Sequence, residues 1–595
     1  MLFNPTLNMP SVLKFDTADD LAFPTALADK LGDIEPSHLE TASRILNVIS
    51  RYKLAGDAFL AKSHDGVNFL AQIYSKVVAS QIILMCLPAF PFKSPNRSTK
   101  VLGRLPDKAE EFALAHLNGL CAAIGDIYAP GARLMIVSDG LVYNDLLGVP
   151  DKDVWAYGEA LRALRAKKGF RYIEFCRLKD IVNVDVPNEL DEIRYVANAT
   201  NFRHALLQQF SKPGYNVSLR ISEDEDTCLT YRGYIKFLET DLQNVYPVGE
   251  GRNTAFTTPW HCSIAFKLDG TTITGHRAEF DANDSFELVY EDNRPSYFRE
   301  KSDLLSWATD KGGITCEPLY PAGVLIRPAA GRGALSIRDV DGPKVRALAQ
   351  RNSPVILRGF SHTRSRDLFV NKSGDLGKPT GWKFGLVLEV KDRGADTRGL
   401  NNVLSAEWMP FHYDGLFKTE KRVRDDGSEV LVSTPPGFQF FTAVTESPKD
   451  TGFTLFSSST LLFKYLPTHL PLSSLRPLTW TVSTSSFNST VIHGLPLVID
   501  HPVTGRPCLR YHEPWPQSKT RFEATNITIE NASDHGLDAA DVSAALVSLL
   551  HDRRVAYYHS WDKGDLLVND NVLTMHTRSD FTAGCDRELW RINFD

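Results

Sequence analysis

The sequence predicts two domains of different class. The first is an α/β domain on a parallel, Rossmann-like sheet, and the second an antiparallel sandwich or jelly roll with flanking helices. Three observations carry this. The chain has 595 residues, enough for several domains at roughly 100–200 residues each. Its N-terminal side alternates strand-like and helix-like stretches, whereas its C-terminal side is a series of short strand-like runs. Between them Pro318, Pro321, Gly323, Pro328, Gly331 and Gly333 cluster, which reads as a linker. The expected order is an N-terminal extension over 1–34, a domain over 35–320, a linker over 321–334 and a second domain over 335–595.

Taken in order, the apolar run from Val77 to Phe90 is interrupted by Ser80, Gln81 and Pro88. It is too short to span a bilayer and reads as core. Asp107 and Glu110 form a capping box, followed at helical spacing by Phe112, Leu117, Leu120, Ile124 and Ile127, with Pro130-Gly131 as the stop. Arg133 to Val137 is a buried strand that runs into Ser138-Asp139-Gly140. Asp151 opens a helix carrying Val154, Tyr157, Leu161 and Leu164, which Gly169 closes, and Phe170 to Cys176 is the next strand. That β-α-β order implies a parallel sheet, whose ligands gather beyond the carboxyl ends of the strands. Further on, Phe384–Val390, Val430–Ser433, Phe438–Val444 and Phe453–Ser457 read as short strands separated by turns such as Pro435-Pro436-Gly437.

Composition narrows the function classes. Charged residues make up 23% and hydrophobic residues 43%, a globular balance that excludes a mainly disordered chain. The net charge of −6 and the lack of a basic stripe with interleaved aromatics give nucleic acid no footing. Eight cysteines are scattered without a C-x-x-C pair, as expected of reduced thiols in a cytoplasmic protein. Met1 to Asp20 lacks the basic and apolar regions of a secretory signal, and no membrane span is expected. Self-association is left open.

Metal chemistry is suggested first by His412-Tyr413-Asp414. Residues two apart on a strand share a face, so both side chains can reach one ion. An H-x-[DE] triplet alone is a weak signal, and His38-Leu39-Glu40, in a helical stretch, is set aside. Downstream lie Asn571, His576, Arg587 and Arg591. Two histidines and a carboxylate form the facial triad of non-haem Fe(II) oxygenases, and a nearby arginine can hold a carboxylate bidentately. Pro410-Phe411-His412-Tyr413-Asp414-Gly415, Gly452-Phe453-Thr454-Leu455-Phe456, Lys563-Gly564-Asp565-Leu566, His576 and Arg587 occur in one order. Together they resemble the taurine dioxygenase (TauD/TfdA) family over about 335–595. The resemblance implies a double-stranded β-helix, Fe(II), and 2-oxoglutarate and O2 as cosubstrates. It implies His412, Asp414 and His576 as iron ligands and Thr454 and Arg587 as contacts to 2-oxoglutarate. Arg591 would hold the cosubstrate or an acidic primary substrate, and Asn571 would orient the loop before His576.

On the N-terminal side, Lys93-Ser94-Pro95-Asn96 and Lys100 place two ammonium groups and small polar donors in one loop region. That suits an anionic ligand such as a sugar phosphate, although solvated lysines on a rigid loop give the same text. Ser138-Asp139-Gly140, Asp145-Leu146-Leu147-Gly148, Tyr231-Arg232-Gly233-Tyr234-Ile235-Lys236-Phe237-Leu238, Asp241 and Thr258-Pro259-Trp260-His261 follow. This ensemble resembles the isocyanide synthase (pyoverdine/dityrosine biosynthesis) family over about 35–320. Relatives commonly carry Arg-Val-Phe after Ser-Asp-Gly, where this chain has Leu141-Val142-Tyr143. The resemblance implies condensation of an amino-acid amine with the ketone of ribulose 5-phosphate. Such chemistry needs anion clamps and proton shuttles. Lys93, Asp139, Asp145, Tyr231, Asp241 and His261 are the catalytic candidates. Ser94, Asn96, Lys100, Ser138, Arg232 and Lys236 are the binding candidates, with Arg203 and His204 as outside ones.

The order of domains suggests an order of reactions, as in fungal-type isocyanide synthase–dioxygenase fusions of xanthocillin-like secondary metabolism. An amino-acid isocyanide made first would then be oxidatively decarboxylated to a vinyl isocyanide. Tyrosine is the expected amino acid because its benzylic hydrogen is easily abstracted; tryptophan shares that feature and valine does not. Hydroxylation by the second domain, or an iron-binding domain that serves as scaffold or sensor, are the alternatives.

Overall fold

The structure is a computed structural model. It describes residues 34–595 except 53–63, 94–102, 139, 142–143, 145–147, 182–186, 188, 211–213, 215, 226–227, 229–264, 267–272, 275–285, 292–293, 301–302, 308, 310, 330–333, 382–384, 395–403, 424–426, 428, 448–450, 487–489 and 582–584. The described chain divides between Glu300 and Lys301 into two compact units. Among the described residues no helix is long and apolar enough to cross a membrane.

The first unit runs α1 (Pro36–Arg51), α2 (His64–Val78), β1 (Ile83–Pro88), α3 (Lys108–Gly125), β2 (Ala132–Val137), α4 (Asp151–Lys168), β3 (Ile173–Cys176), α5 (Glu192–Phe210) and α6 (Val217–Glu223). β1, β2 and β3 form the expected parallel sheet, with Ile83 opposite Ala132 and Leu134 opposite Ile173. The capping box forms as read: the Asp107 carboxylate accepts from the Ala109 amide, and Glu110 accepts from the Asp107 amide. Gly169, in the left-handed region at φ 67°, ends α4. Leu114, Ile124, Leu134, Ile136, Tyr157, Leu161 and Ile173 are buried in one core between these helices and the sheet. The Val77–Phe90 run is core only in part: Val77, Ile83 and Phe90 are buried, whereas Val78, Ile82 and Leu84 at the end of α2 and along β1 are exposed, because β1 is the edge strand of its sheet. His38 lies in α1 beside its capping residue Glu35. Four more strands, β4 (Ala265–Phe266), β5 (Ile273–Thr274), β6 (Phe286–Glu291) and β7 (Arg294–Glu300), make a second sheet in the order β5-β4-β7-β6.

The second unit begins with β8 (Ile314–Pro318) and β9 (Val324–Pro328), followed by α7 (Gly342–Arg351), β10 (Val355–Leu357), α8 (Arg366–Leu376), β11 (Pro379–Thr380) and β12 (Leu388–Lys391). Next come β13 (Thr419–Val423), β14 (Glu429–Ser433), β15 (Phe438–Ala443) and β16 (Thr454–Ser458). After helices α9 (Ser459–Lys464) and α10 (Leu472–Leu475) come β17 (Thr479–Thr484), β18 (Val491–Pro496), β19 (Val498–Asp500), β20 (Pro507–Leu509) and β21 (Thr525–Ile529). Helix α11 (Ala539–Leu550) leads to β22 (Ala556–His559), β23 (Leu566–Asp570), β24 (Thr574–Arg578) and β25 (Glu588–Phe594). An eight-stranded sheet runs β11-β25-β15-β23-β10-β9-β8, with β12 also on β25, and is antiparallel except where β9 meets β10. A three-stranded antiparallel sheet runs β22-β16-β24.

The stretch 321–334 is therefore not a linker through its length. Val324, Leu325 and Ile326 of β9 are buried in the large sheet between β8 and β10. Pro318 and Pro328 are the last residues of their strands, where a missing N–H costs the ladder least. A cluster of prolines and glycines around two short strands looks the same in sequence as one filling a linker.

Candidate functional site

The centre of the second unit is built where two distant chain segments meet. His412 and His576 exchange both backbone hydrogen bonds, at 3.0 and 2.9 Å, as a directly opposed antiparallel pair does. Their rings consequently face each other with centroids 4.5 Å apart. Asp414, two residues past His412, points the same way, and Asp414 Oδ1 lies 3.8 Å from Nε2 of each histidine. All three donor atoms lie within 4.8 Å of one another, and Asp414 and His576 are buried.

Hydrogen bonds open His412 Nε2 to an ion, whereas Gln439 engages the lone pair of His576 Nε2, which an ion would take over by displacing that amide. His412 Nδ1 donates to the Pro410 carbonyl at 2.8 Å, so its Nε2 carries the lone pair. The Gln439 amide donates to Asp414 Oδ2 at 2.6 Å and to His576 Nε2 at 3.0 Å, and Asn569 fixes that amide by donating to its oxygen at 2.9 Å. Burial pushes His576 down to about 3 and also lowers His412, so both imidazoles are neutral. Burial alone would raise Asp414, but Arg591 and the two histidines outweigh it and hold the carboxyl near 2. Two neutral imidazoles and one carboxylate facing one space suit Fe(II).

Asn571, expected to orient the loop before His576, directs its side chain to the backbone of Asp414 and Pro436. Its side-chain oxygen accepts from the Asp414 amide at 2.9 Å, and its Nδ2 donates to the carbonyls of Asp414 and Pro436 at 3.1 and 2.8 Å. Gly415 completes the bend at φ 80°, where a Cβ would sit 2.5 Å from Pro436 Cδ. Asn571→Ala is expected to leave these buried groups unpaired, costing about 1–3 kcal/mol, and to weaken iron binding about 10–100-fold. Metal titration and thermal melting check both.

Beside the triad, Arg587 is buried, donates through Nε to the Gly452 carbonyl at 3.1 Å and through Nη2 to Thr454 Oγ1 at 3.3 Å. Its Nη1 is buried with no hydrogen-bond partner among the described residues. Burial lowers this guanidinium to about 10, which leaves it charged at neutral pH. An enclosed cation with a spare donor on the wall of the cleft fits the carboxylate of 2-oxoglutarate. Arg591, expected to contact the cosubstrate or an acidic substrate, lies 2.7 Å from Asp414 Oδ2. It borders the same cleft as Arg578 and Arg587.

In the first unit the loops beyond β1 and β2 come together: a Cβ on Gly140 would lie 2.4 Å from the Phe92 ring. Lys93 does not stand as a bare ammonium toward an anion. It is enclosed, 3.1 Å from Asp107 Oδ2 and 2.8 Å from Glu110 Oε1, and Tyr157 donates to the same Glu110 oxygen at 3.0 Å. Burial pushes Asp107 up to about 7 against the pull of Lys93, while the two carboxylates outweigh burial and raise Lys93. Ser138 is buried, and its hydroxyl has no hydrogen-bond partner among the described residues. Arg203 braces the loop after it, donating to the Leu141 carbonyl and Asn144 at 2.8 and 2.9 Å and pairing with Asp151. Leu141, where relatives carry arginine, packs with Phe92, Val149, Val154 and Phe202, and His204 is exposed. Ser94, Asn96, Lys100, Asp139, Asp145, Tyr231, Arg232, Lys236, Asp241 and His261 lie outside the described residues.

Comparison with known proteins accounts for both units. Residues 73–255 match the family model of pyoverdine/dityrosine biosynthesis proteins, and residues 329–593 match that of taurine catabolism dioxygenases, the TauD, TfdA family. Isocyanide synthase xanB of Aspergillus fumigatus is 40% identical over 93% of this chain and 80% of its own length. The chain belongs to the isocyanide synthase family. It is an isocyanide synthase module followed by a TauD/TfdA-type dioxygenase module that depends on Fe(II) and 2-oxoglutarate. Isocyanide synthase A of the same fungus is 35% identical over 93% of this chain and 97% of its own length. The tyrosine isonitrile desaturase of Erwinia amylovora is 28% identical over 47% of this chain and 89% of its own.

In this isocyanide synthase three residues of the iron cleft escaped the sequence reading. Arg578 was legible: it sits two residues past His576 on β24, hence on the same face, and opposite Thr454. His512, whose ring lies 6.0 Å from that of His412, follows β20 in a loop with no local signal. Gln439 reads as an ordinary strand residue, and only the sheet brings it to Asp414.

Proposed function

We propose that the first module joins the α-amine of L-tyrosine to the ketone of ribulose 5-phosphate, giving an isocyanide that keeps its carboxylate. The second module then removes that carboxylate oxidatively to form a vinyl isocyanide. The observation that carries this is the charge layout of the cleft: the iron triad faces Arg578, Arg587 and Arg591 together. One arginine suffices for the cosubstrate, and the positive charge of all three together favours an acidic primary substrate. Phe417, Trp515 and Phe522 line the same cleft and suit an aromatic side chain. The name of the Erwinia relative, tyrosine isonitrile desaturase, supports both tyrosine and desaturation.

In this reading His412, Asp414 and His576 hold the iron, Arg587 and Thr454 orient 2-oxoglutarate, and Arg591 with Arg578 draws in the isocyanide acid. Bound iron with 2-oxoglutarate and O2 supplies the oxidising power to take hydrogen from a C–H bond. The sheets carrying β15 and β16 would be the two walls of a double-stranded β-helix, joined at the His412–His576 pair. The first site would lie beyond the carboxyl ends of β1 and β2, near Ser138, with the undescribed candidates supplying its anion and proton contacts. No disulfide joins the seven described cysteines, in keeping with a cytoplasmic setting.

Mass spectrometry of products from tyrosine, tryptophan or valine with ribulose 5-phosphate, Fe(II) and O2 tests this. With tyrosine and 2-oxoglutarate a vinyl isocyanide is expected; without 2-oxoglutarate the saturated isocyanide acid should accumulate. A product heavier by one oxygen would replace desaturation with hydroxylation. If 2-oxoglutarate changes nothing, the second module has another substrate.

A further inference from the structure

We propose that Trp561 is a positioning residue for 2-oxoglutarate, acting through the hydroxyl of Thr454. The inference rests on the reading of Arg587 and Thr454 as the cosubstrate contacts. The Trp561 indole is buried, and its Nε1 donates to Thr454 Oγ1 at 2.8 Å. Arg587 Nη2 donates to the same oxygen at 3.3 Å. A threonine hydroxyl has two lone pairs and one hydrogen. With both lone pairs engaged, the hydrogen is left to point along the remaining direction, toward the cleft that Thr454 borders. The hydroxyl and the unpartnered Arg587 Nη1 then form a pair of donors prepared for one carboxylate, so little rotamer freedom is lost on binding.

The indole suits this task because it can only donate. A serine, histidine or water in its place could reverse the bond and turn the threonine proton away from the cleft. Its own orientation is fixed from behind. The fully buried His559 meets the ring edge to face at 4.4 Å, and Phe441 lies 5.8 Å away. His559 is in turn 3.3 Å from the Tyr557 hydroxyl and 3.5 Å from Asp565, which Arg358 holds at 2.6 Å. A chain of packed groups thus runs from the Arg358–Asp565 pair to the threonine proton.

Trp561→Phe keeps the ring and deletes the N–H. Calorimetric titration of 2-oxoglutarate into full-length protein loaded with Mn(II) is expected to show affinity lowered about tenfold, the size of one hydrogen bond to a charged group or its orienting partner. In turnover the KM for 2-oxoglutarate should rise by the same factor with kcat within about twofold, an effect confined to one ligand. Thr454→Val should weaken binding equally, and the double variant should bind no worse than Thr454→Val alone. Trp561→His, whose ring returns the N–H in only one of its two tautomers, should recover part of the loss and serves if the phenylalanine variant melts early. Wild-type affinity in Trp561→Phe, or additive losses in the double variant, would overturn the proposal. If Arg587→Leu also binds 2-oxoglutarate normally, the fault lies in the reading of the cosubstrate site itself.

Discussion

Asp414→Ala is expected to stop the second reaction while the first continues, so that tyrosine and ribulose 5-phosphate give only the saturated isocyanide acid. Asp414 is the one anionic donor of the triad, held near 2 by Arg591 and both histidines against the effect of burial. Its loss leaves two neutral imidazoles, a donor pair too weak to keep Fe(II). Changes to outer partners of a metal ligand cost about 10–100-fold in affinity or activity, so loss of the ligand itself should exceed about 100-fold. The substitution also strips Arg591 of the carboxylate 2.7 Å away. Equilibrium dialysis of iron and product analysis read the two effects separately. Vinyl product at the normal rate from this variant would remove Asp414 from the iron set.

Lys93→Met is expected to destabilise the first module by about 3–5 kcal/mol, the usual cost of removing one partner from a buried ion pair. The thioether keeps most of the volume but leaves Asp107 and Glu110 enclosed without the ammonium that lies 3.1 and 2.8 Å from them. A pH dependence follows. Lys93 lowers the Asp107 pKa, which burial already pushes up to about 7; without the lysine it moves higher still. A carboxyl whose folded pKa lies above its unfolded value binds more protons when folded, so stability falls as pH rises between the two. The variant should therefore lose stability from about pH 4 upward, through and beyond pH 7, and be partly rescued in acid. Urea unfolding across pH 5 to 8 measures this. Unchanged stability with lost isocyanide formation would return Lys93 to the list of groups that touch substrate.

The same residues show how far the sequence could be read. Asp107 and Glu110 were legible as a helix cap because capping is local, within four residues. That they also enclose Lys93 depends on the β1 loop folding back onto α3, which no local pattern records. His412, Asp414 and His576 were legible because residue type, strand spacing and motif order agree. Arg578 obeyed the same two-residue rule and could have been named beside them. The partnership of Arg591 with Asp414 was out of reach, since it requires knowing that β25 lies next to β15 in the large sheet. The linker was misplaced for a different reason: strands as short as β8 and β9 carry too few residues between their prolines to show a period.

The backbone bridge between His412 and His576 makes the iron site depend on tertiary folding. Neither segment can present its histidine correctly until the sheets have closed around it, so the metal has no preformed site on the unfolded chain. A ligand that binds only the folded form stabilises it by mass action, about 2.7 kcal/mol at a hundredfold excess over its dissociation constant. Bound iron would thereby add to the stability of the second module as well as serve its chemistry. Without iron this half of the enzyme is expected to melt at a lower temperature than with it, which melting curves with and without the metal read.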